Sequence, residues 1–196
     1  MNANKTSIGV IIDRSGSMSG LVADTIGGFN TFLADQKALP GEADLTLVLF
    51  DNEYIVLHDG IKLADVPDLN TTTYVPRGGT ALRDAIGRTV NVMKAKLESI
   101  PEADRPGKVI ILIITDGEEN GSKEYTAIQI QTLLSDVQMN HGWEVIYFGA
   151  NQNAAAVGQT MNLAPDSSLG YIADSEGTRG AYTSMSGRVT RSRTSF

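Results

Sequence analysis

Oxygen-bearing side chains occur at three separate places in the chain, each next to a predicted strand end or helix start. Asp13, Ser15 and Ser17 follow the first apolar strand at alternate positions, so their side chains can point the same way. Asp116 follows a second apolar strand, and Thr80 precedes a helical segment at the end of a long loop. Together these segments offer two carboxylates and three hydroxyls as candidate ligands.

Carboxylate and hydroxyl oxygens are hard donors. They suit Mg²⁺ or Mn²⁺, with Ca²⁺ as a further option, and they suit zinc or copper poorly. The hydroxyls and any water ligands are neutral, so a bound cation would be left with few compensating negative charges. A cation in that state, with an open coordination position, attracts an external carboxylate. The alternative explanation of Asp-x-Ser-x-Ser, taken alone, is a turn that caps a helix.

The elements that must position these residues alternate between strands and helices. Helical spacing of apolar residues predicts five helices around 26–33, 82–97, 128–137, 154–161 and 175–192. Apolar runs predict six strands, at Ser7–Ile12, Leu45–Phe50, Tyr54–Leu57, Val109–Thr115, Trp143–Phe148 and Leu169–Ile172.

This order predicts an α/β fold: a doubly wound, mostly parallel six-stranded sheet with helices on both faces. Asp51 and Asn52 lie in a gap of only three residues between two of the strand runs, which predicts a hairpin and therefore one antiparallel edge strand. Residues 61–79 are predicted to be the longest irregular connection. In such a sheet, ligands bind at the carboxyl ends of the strands beside the switch point, where the five oxygen-bearing residues would converge.

The same residues resemble a known family. Asp13-x-Ser15-x-Ser17, Thr80 within Gly-Gly-Thr-Ala-Leu and Asp116 within Ile-Thr-Asp-Gly are similar to the metal-ion-dependent adhesion site (MIDAS) of von Willebrand factor A (VWA) domains. All five positions of that site are matched, and the resemblance covers roughly residues 5–192. The segment Trp143–Asn151 is similar to stand-alone prokaryotic members.

The resemblance implies a Rossmann-like sheet that holds one divalent ion at its upper edge. Ser15, Ser17 and Thr80 would coordinate through their hydroxyls, while Asp13 and Asp116 would act directly or through water. A protein partner would complete the coordination with a Glu or Asp. The last helix of the family can shift when the ligands of the metal change, and here that element would be 175–192.

Composition excludes several other classes. The chain has no Cys, which removes disulfides, thiolate metal sites and cysteine nucleophiles.

Its 196 residues can bury a sufficient core as one domain, 1–196, with a short basic tail. The start of the sequence has no signal-peptide pattern and the longest apolar run is too short to span a membrane, so a soluble, cytoplasmic protein is expected.

The charge of the chain argues against nucleic acid as a partner. The net charge is −7, and residues 177–196 hold four Arg and no acid, which leaves −11 on the rest of the chain. Only that tail could offer the cationic contacts that phosphate backbones require.

Three functions remain open. The leading interpretation is a metal-dependent protein-interaction module that is not an enzyme. The second is a metal-assisted phosphoryl-transfer enzyme, although the chain lacks the phosphate-loop and nucleophile-elbow motifs. The third is an assembly protein, including one that forms homo-oligomers.

Two local features have competing interpretations. Glu118, Glu119 and Asn120 follow the candidate ligand Asp116. They could gate a partner or bind a second ion, but solvated loop residues are the favoured interpretation. Gly27 and Gly28 interrupt a helical pattern, at a cost of roughly 1 kcal/mol each relative to Ala. The pair indicates either close backbone packing or a kink.

Overall fold

A central sheet of six strands organises the computed structural model, which describes residues 1–150 and 153–195. The strands are β1 (Asn2–Asp13), β2 (Glu42–Phe50), β3 (Tyr54–Lys62), β4 (Pro106–Thr115), β5 (Glu144–Ala150) and β6 (Ser168–Tyr171). Their order is β3-β2-β1-β4-β5-β6, and every neighbouring pair is parallel except the β2–β3 hairpin. The predicted fold class is confirmed, including the antiparallel strand at one edge.

Helices cover both faces of this sheet. They are α1 (Val22–Lys37), α2 (Leu82–Glu98), α3 (Ala127–His141), α4 (Ala154–Thr160) and α5 (Ser175–Thr194). The helices α1 and α5 pack on one face, and α2, α3 and α4 pack on the other.

The central strands are buried on both faces, as continuous apolar runs predict. Because successive side chains of a strand point to opposite faces, β1 contributes to two cores. Val10 packs in one core with Phe29 of α1 and Met185 of α5. Its neighbour Ile11 packs in the other core with Val90 of α2.

The path of the chain places a crevice above the sheet centre. From β1 the chain passes through α1 to β2 on one side, whereas β4, on the other side of β1, leads outward to β5 and β6. The carboxyl ends of β1 and β4 therefore flank the switch point, where ligands bind in open α/β sheets. Ile12 pairs with Ile114, so both strands end at the same level.

Two local expectations are refined. Strand β3 continues to Lys62 and a 3₁₀ turn spans Leu63–Asp65, so the irregular connection begins at Val66 rather than at residue 61. Helix α1 is continuous through both of its glycines, and an alanine Cβ at Gly28 would lie 2.6 Å from Cγ of Tyr182 in α5. Close helix packing, not a kink, therefore accounts for Gly28.

Asn151, the last residue of the Trp143–Asn151 segment, lies outside the described residues. Across residues 1–150 and 153–195, none of the helices has the length and apolar character that crossing a membrane requires.

Candidate metal centre

The carboxylate of Asp13 lies at the end of β1 and is fully buried. Its Oδ1 accepts a hydrogen bond from the backbone N–H of Ser15 at 2.6 Å, and its Oδ2 accepts one from the hydroxyl of Thr115 at 2.5 Å. Thr115 is the last residue of β4. The two central strands are therefore joined through Asp13 at the predicted edge of the sheet.

The two serine hydroxyls continue this cluster to the second predicted carboxylate. Ser15 Oγ and Ser17 Oγ are 3.0 Å apart, and Ser17 Oγ donates to Oδ1 of Asp116 at 2.6 Å. Four of the five predicted ligands are thus linked by direct hydrogen bonds, across 99 residues of sequence in the case of Ser17 and Asp116.

Gly117 shows that Thr80 belongs to the same cluster. A Cβ built on Gly117 would lie 2.8 Å from Thr80 Oγ1, 3.5 Å from Ser17 Oγ and 3.6 Å from Asp13 Oδ2. Oxygens from three remote segments therefore come within 3.6 Å of one point, and a side chain at Gly117 would enter that space. The structure brings together all five of the residues predicted from the sequence.

The donor set fits a hard divalent cation. All five side chains offer oxygen, with two carboxylates and three hydroxyls and neither imidazole nor thiolate. Two ligands at right angles around an ion with bonds of about 2.1 Å lie about 3.0 Å apart, which is the separation of the two serine hydroxyls. Within the described ranges, no group of three or more His, Cys, Asp or Glu side chains forms an alternative site.

Burial raises the pKa of both carboxylates of this centre. Burial raises the pKa of Asp13 from its usual 3.8 to about 6, although hydrogen bonds from Thr115 and Ser15 lower it. Burial also raises the pKa of Asp116, against the lowering effect of the bond from Ser17. A bound cation would favour the ionised form of both groups.

Two other carboxylates of these loops, those of Asp51 and Glu119, are bound to groups outside the oxygen cluster. Asp51 is buried in the β2–β3 turn, where its Oδ2 lies 3.1 Å from Arg14 Nη2 and 3.0 Å from Arg77 Nε. Glu119 accepts hydrogen bonds from the backbone N–H of Arg83 at 2.8 Å and from the hydroxyl of Ser122 at 2.6 Å. These two carboxylates already have partners, whereas those of Asp13 and Asp116 belong to the oxygen cluster itself.

The sequence interpretation missed several residues that build this centre. Glu118 and Asn120 are exposed, as expected, whereas Glu119 is partly buried. The exposed Asn120 nevertheless accepts a hydrogen bond from the backbone N–H of Thr80. Tyr74, buried in the long loop, donates its hydroxyl to the carbonyl of Asp13 at 2.7 Å. In the sequence, Tyr74 is indicated only by its type and place: it is an aromatic residue with a hydroxyl in the long connection that leads to Thr80.

Solved structures show which proteins share this fold. The von Willebrand factor domain of the type V pilus tip protein Mfa5 from Porphyromonas gingivalis matches with a TM-score of 0.67 and 13% identity, over 97% of both chains. The pilus adhesin SpaC from Lactobacillus rhamnosus GG, in an open conformation, matches with a TM-score of 0.68 and 15% identity, over 98% of this chain and 31% of SpaC. A form of proximal thread matrix protein 1 from the mussel byssus with a zinc-occupied MIDAS motif matches with a TM-score of 0.60 and 14% identity, over 94% of this chain and 45% of that one.

The chain therefore has the fold of von Willebrand factor type A domains. It spans nearly all of the Mfa5 domain but less than half of SpaC and of the byssus protein. Neither the known protein-family profiles nor the curated proteins gave a match to the sequence.

Proposed function

We propose that this protein is a metal-dependent protein-interaction module. Asp13, Ser15, Ser17, Thr80 and Asp116 hold one divalent cation, and a Glu or Asp of a partner protein completes its coordination. The observation that carries this proposal is the convergence of oxygens from Asp13, Ser17 and Thr80 beside Gly117.

The charge distribution supports an acidic partner. Two carboxylates contribute negative charge to the ion, whereas the three hydroxyls are neutral. The nearby carboxylates of Asp51 and Glu119 are held by Arg14 and by the amide of Arg83, respectively. The two carboxylates bring a divalent ion no further than to neutrality, and an open coordination position leaves room for a further anionic oxygen, which a partner carboxylate supplies.

The relatives of known structure are consistent with this role. Mfa5 is a pilus tip protein, SpaC is a pilus adhesin, and the byssus protein is a matrix protein with a zinc-occupied MIDAS. We propose Mg²⁺ or Mn²⁺ for the present chain because all five side chains offer hard oxygen donors, with two carboxylates and three hydroxyls. Ca²⁺ also takes oxygen ligands, so it is one of the competing ions in the first experiment.

We further propose that the ion serves recognition and not catalysis. His58 lies on the edge strand β3, and His141 ends α3, 3.7 Å from Asp136. Neither imidazole has a role at the cluster as a general base. A screen for phosphatase turnover with Mg²⁺ and Mn²⁺ tests this point, and turnover that Asp13→Ala abolishes would overturn it.

The first experiment measures the metal. Mn²⁺ binding is followed by electron paramagnetic resonance, with Mg²⁺, Ca²⁺ and Zn²⁺ as competitors, for the unsubstituted protein and for Ser17→Ala and Asp13→Ala. Both variants are expected to lose affinity, because each removes one of the converging oxygens. Ser19→Ala is the matched control, since Ser19 is exposed in the same segment and its hydroxyl bonds only to the carbonyl of Gly16.

The second experiment measures the carboxylate. A Glu-containing peptide is titrated into the Mn²⁺-loaded protein, and the water-proton relaxation of the ion reports displacement of its water. The same peptide with Gln in place of Glu is the control. The proposal predicts a response to the Glu peptide that chelator and Asp13→Ala abolish, and equal responses to the two peptides would contradict it.

A further inference from the structure

Thr80 is held by a different segment of the chain from the one that contains it. Its backbone N–H donates to Oδ1 of Asn120 at 2.8 Å, and its carbonyl accepts the N–H groups of Asn120 and Gly121, both at 3.0 Å. Thr80 is 2% exposed, so water has little access to these groups. The loop between β4 and α3 therefore binds both the backbone N–H and the carbonyl of Thr80.

That loop is itself fixed by two carboxylates. Glu119 accepts the N–H groups of Gly121 and Ser122 within the loop and that of Arg83 in α2. Asp84, also in α2, accepts three further N–H groups of the loop, at Lys123, Glu124 and Tyr125. Asn120 consequently sits on a segment that is anchored to the first turn of α2.

The residues that precede Thr80 need such support. Gly78 has a positive φ of 66°, and Gly79 has no side chain that could restrict its backbone. A Cβ at Gly79 would lie 2.8 Å from Oδ1 of both Asn120 and Asn52, so the two asparagines enclose this turn. Asn52 bonds to the N–H of Gly79, one residue before Thr80.

From these contacts we infer that Asn120 is a positioning residue for the metal centre: its amide oxygen fixes the backbone of Thr80 and thereby the place of the Thr80 hydroxyl. The inference rests on the proposed function, in which Thr80 is a ligand. Without the Asn120 side chain, the buried N–H of Thr80 loses its partner, and an unpaired buried donor drives the local backbone to rearrange. The hydroxyl would then move away from the other ligand oxygens.

Two substitutions separate the hydrogen bond from the rest of the side chain. Asn120→Ala removes the acceptor, and Asn120→Asp retains an oxygen that can accept from Thr80. Asn30→Ala is the matched control, because Oδ1 of Asn30 accepts the N–H of Leu69 at 2.8 Å and its Nδ2 donates to the carbonyl of Leu69 at 2.9 Å. These two hydrogen bonds fix the same long loop to α1 at Leu69, 11 residues before Thr80.

The measurements are Mn²⁺ affinity by electron paramagnetic resonance and hydrogen exchange of the Thr80 amide by NMR in the metal-free state. Asn120→Ala is expected to weaken Mn²⁺ binding by about 10- to 100-fold, as loss of a group that orients a ligand does, and to accelerate exchange at Thr80. Asn120→Asp is expected to keep the slow exchange and the affinity. Asn30→Ala should leave both unchanged.

Three results would overturn the inference, and they differ in what else they affect. Failure of the unsubstituted protein to bind Mn²⁺ would overturn the proposed function together with the inference. Normal Mn²⁺ binding and slow Thr80 exchange in Asn120→Ala would overturn the inference alone. Equal loss of affinity in Asn120→Ala and Asn30→Ala would also overturn it alone, because general loosening of the loop would then explain the effect.

Discussion

Replacing Gly117 with alanine adds one methyl group beside the proposed ion without removing any of its ligands. The added Cβ would lie 2.8 Å from Thr80 Oγ1 and within 3.6 Å of oxygens from Ser17 and Asp13. Gly117 has no positive φ, so alanine fits its backbone and the effect is confined to the space that the methyl group takes. This substitution therefore tests the convergence of the ligands directly.

The expected effect follows from these distances. A carbon atom needs about 3.5 Å from its non-bonded neighbours, so the Thr80 hydroxyl must retreat by about 0.7 Å. Mg²⁺ demands near-ideal geometry with bonds of about 2.1 Å. A displacement that is a third of the bond length therefore removes the Thr80 hydroxyl from coordination. We expect at least about 100-fold weaker Mn²⁺ binding, equivalent to about 2.8 kcal/mol.

The assay is an Mn²⁺ titration by electron paramagnetic resonance, with metal-dependent thermal stability as a second measurement. An ion at 100 times its dissociation constant stabilises the native state by about 2.7 kcal/mol, and Gly117→Ala should lose most of this gain. Gly27→Ala is the control, because a Cβ there meets nothing within 4 Å. A folded Gly117→Ala protein that binds Mn²⁺ within threefold of the unsubstituted affinity would refute the reasoning.

Three further predictions concern the framework around the centre. Gly28→Ala should lower the free energy of unfolding by about 1–3 kcal/mol, because its Cβ would lie 2.6 Å from Cγ of the buried Tyr182; an unchanged urea midpoint would argue against this packing. Asp51→Asn should destabilise the protein by about 1–3 kcal/mol, because the buried Arg14 guanidinium loses Asp51 but keeps the exposed Glu53 carboxylate at 3.6 Å; a loss below about 1 kcal/mol in the same assay would contradict a buried ion pair. Burial raises the pKa of Glu119, but hydrogen bonds from Ser122 and three backbone amides outweigh burial and hold it below its usual 4.5. Stability should therefore be lost as the pH falls from 4.5 through the lower folded-state pKa, and Glu119→Gln should flatten that part of the pH profile, which thermal unfolding at stepped pH measures.

The sequence predicts the sheet well because the relevant signals are local. Buried strands such as β4 are continuous apolar runs, and the three-residue gap at 51–53 is too short for any connection other than a hairpin. Strand ends were less well predicted. β3 continues to Lys62 through a positive-φ glycine, Gly60, and an irregular pairing with β2 that no simple alternation of apolar residues indicates.

The two glycines of α1 have different structural roles that the sequence pattern alone does not predict. Gly27 and Gly28 are identical in the sequence, and both reduce helix propensity. Only the packing of α5 separates them, because Tyr182 lies against Gly28 and leaves Gly27 open. The choice between close packing and a kink thus depended on a residue more than 150 positions away.

By itself, the sequence determined the alternation of strands and helices and the five oxygen-bearing residues at strand ends and helix starts, because periodicity and side-chain chemistry are properties of short segments. Tertiary structure alone decided which neighbours hold those oxygens and which carboxylates of the region are paired with arginine. Asn120 meets Thr80 across 40 residues, and Arg77 reaches Asp51 across 26. Such contacts depend on the three-dimensional path of loops that carry no periodic signal. The acids of the oxygen cluster therefore become distinct from the acids that are paired elsewhere only once the chain has folded.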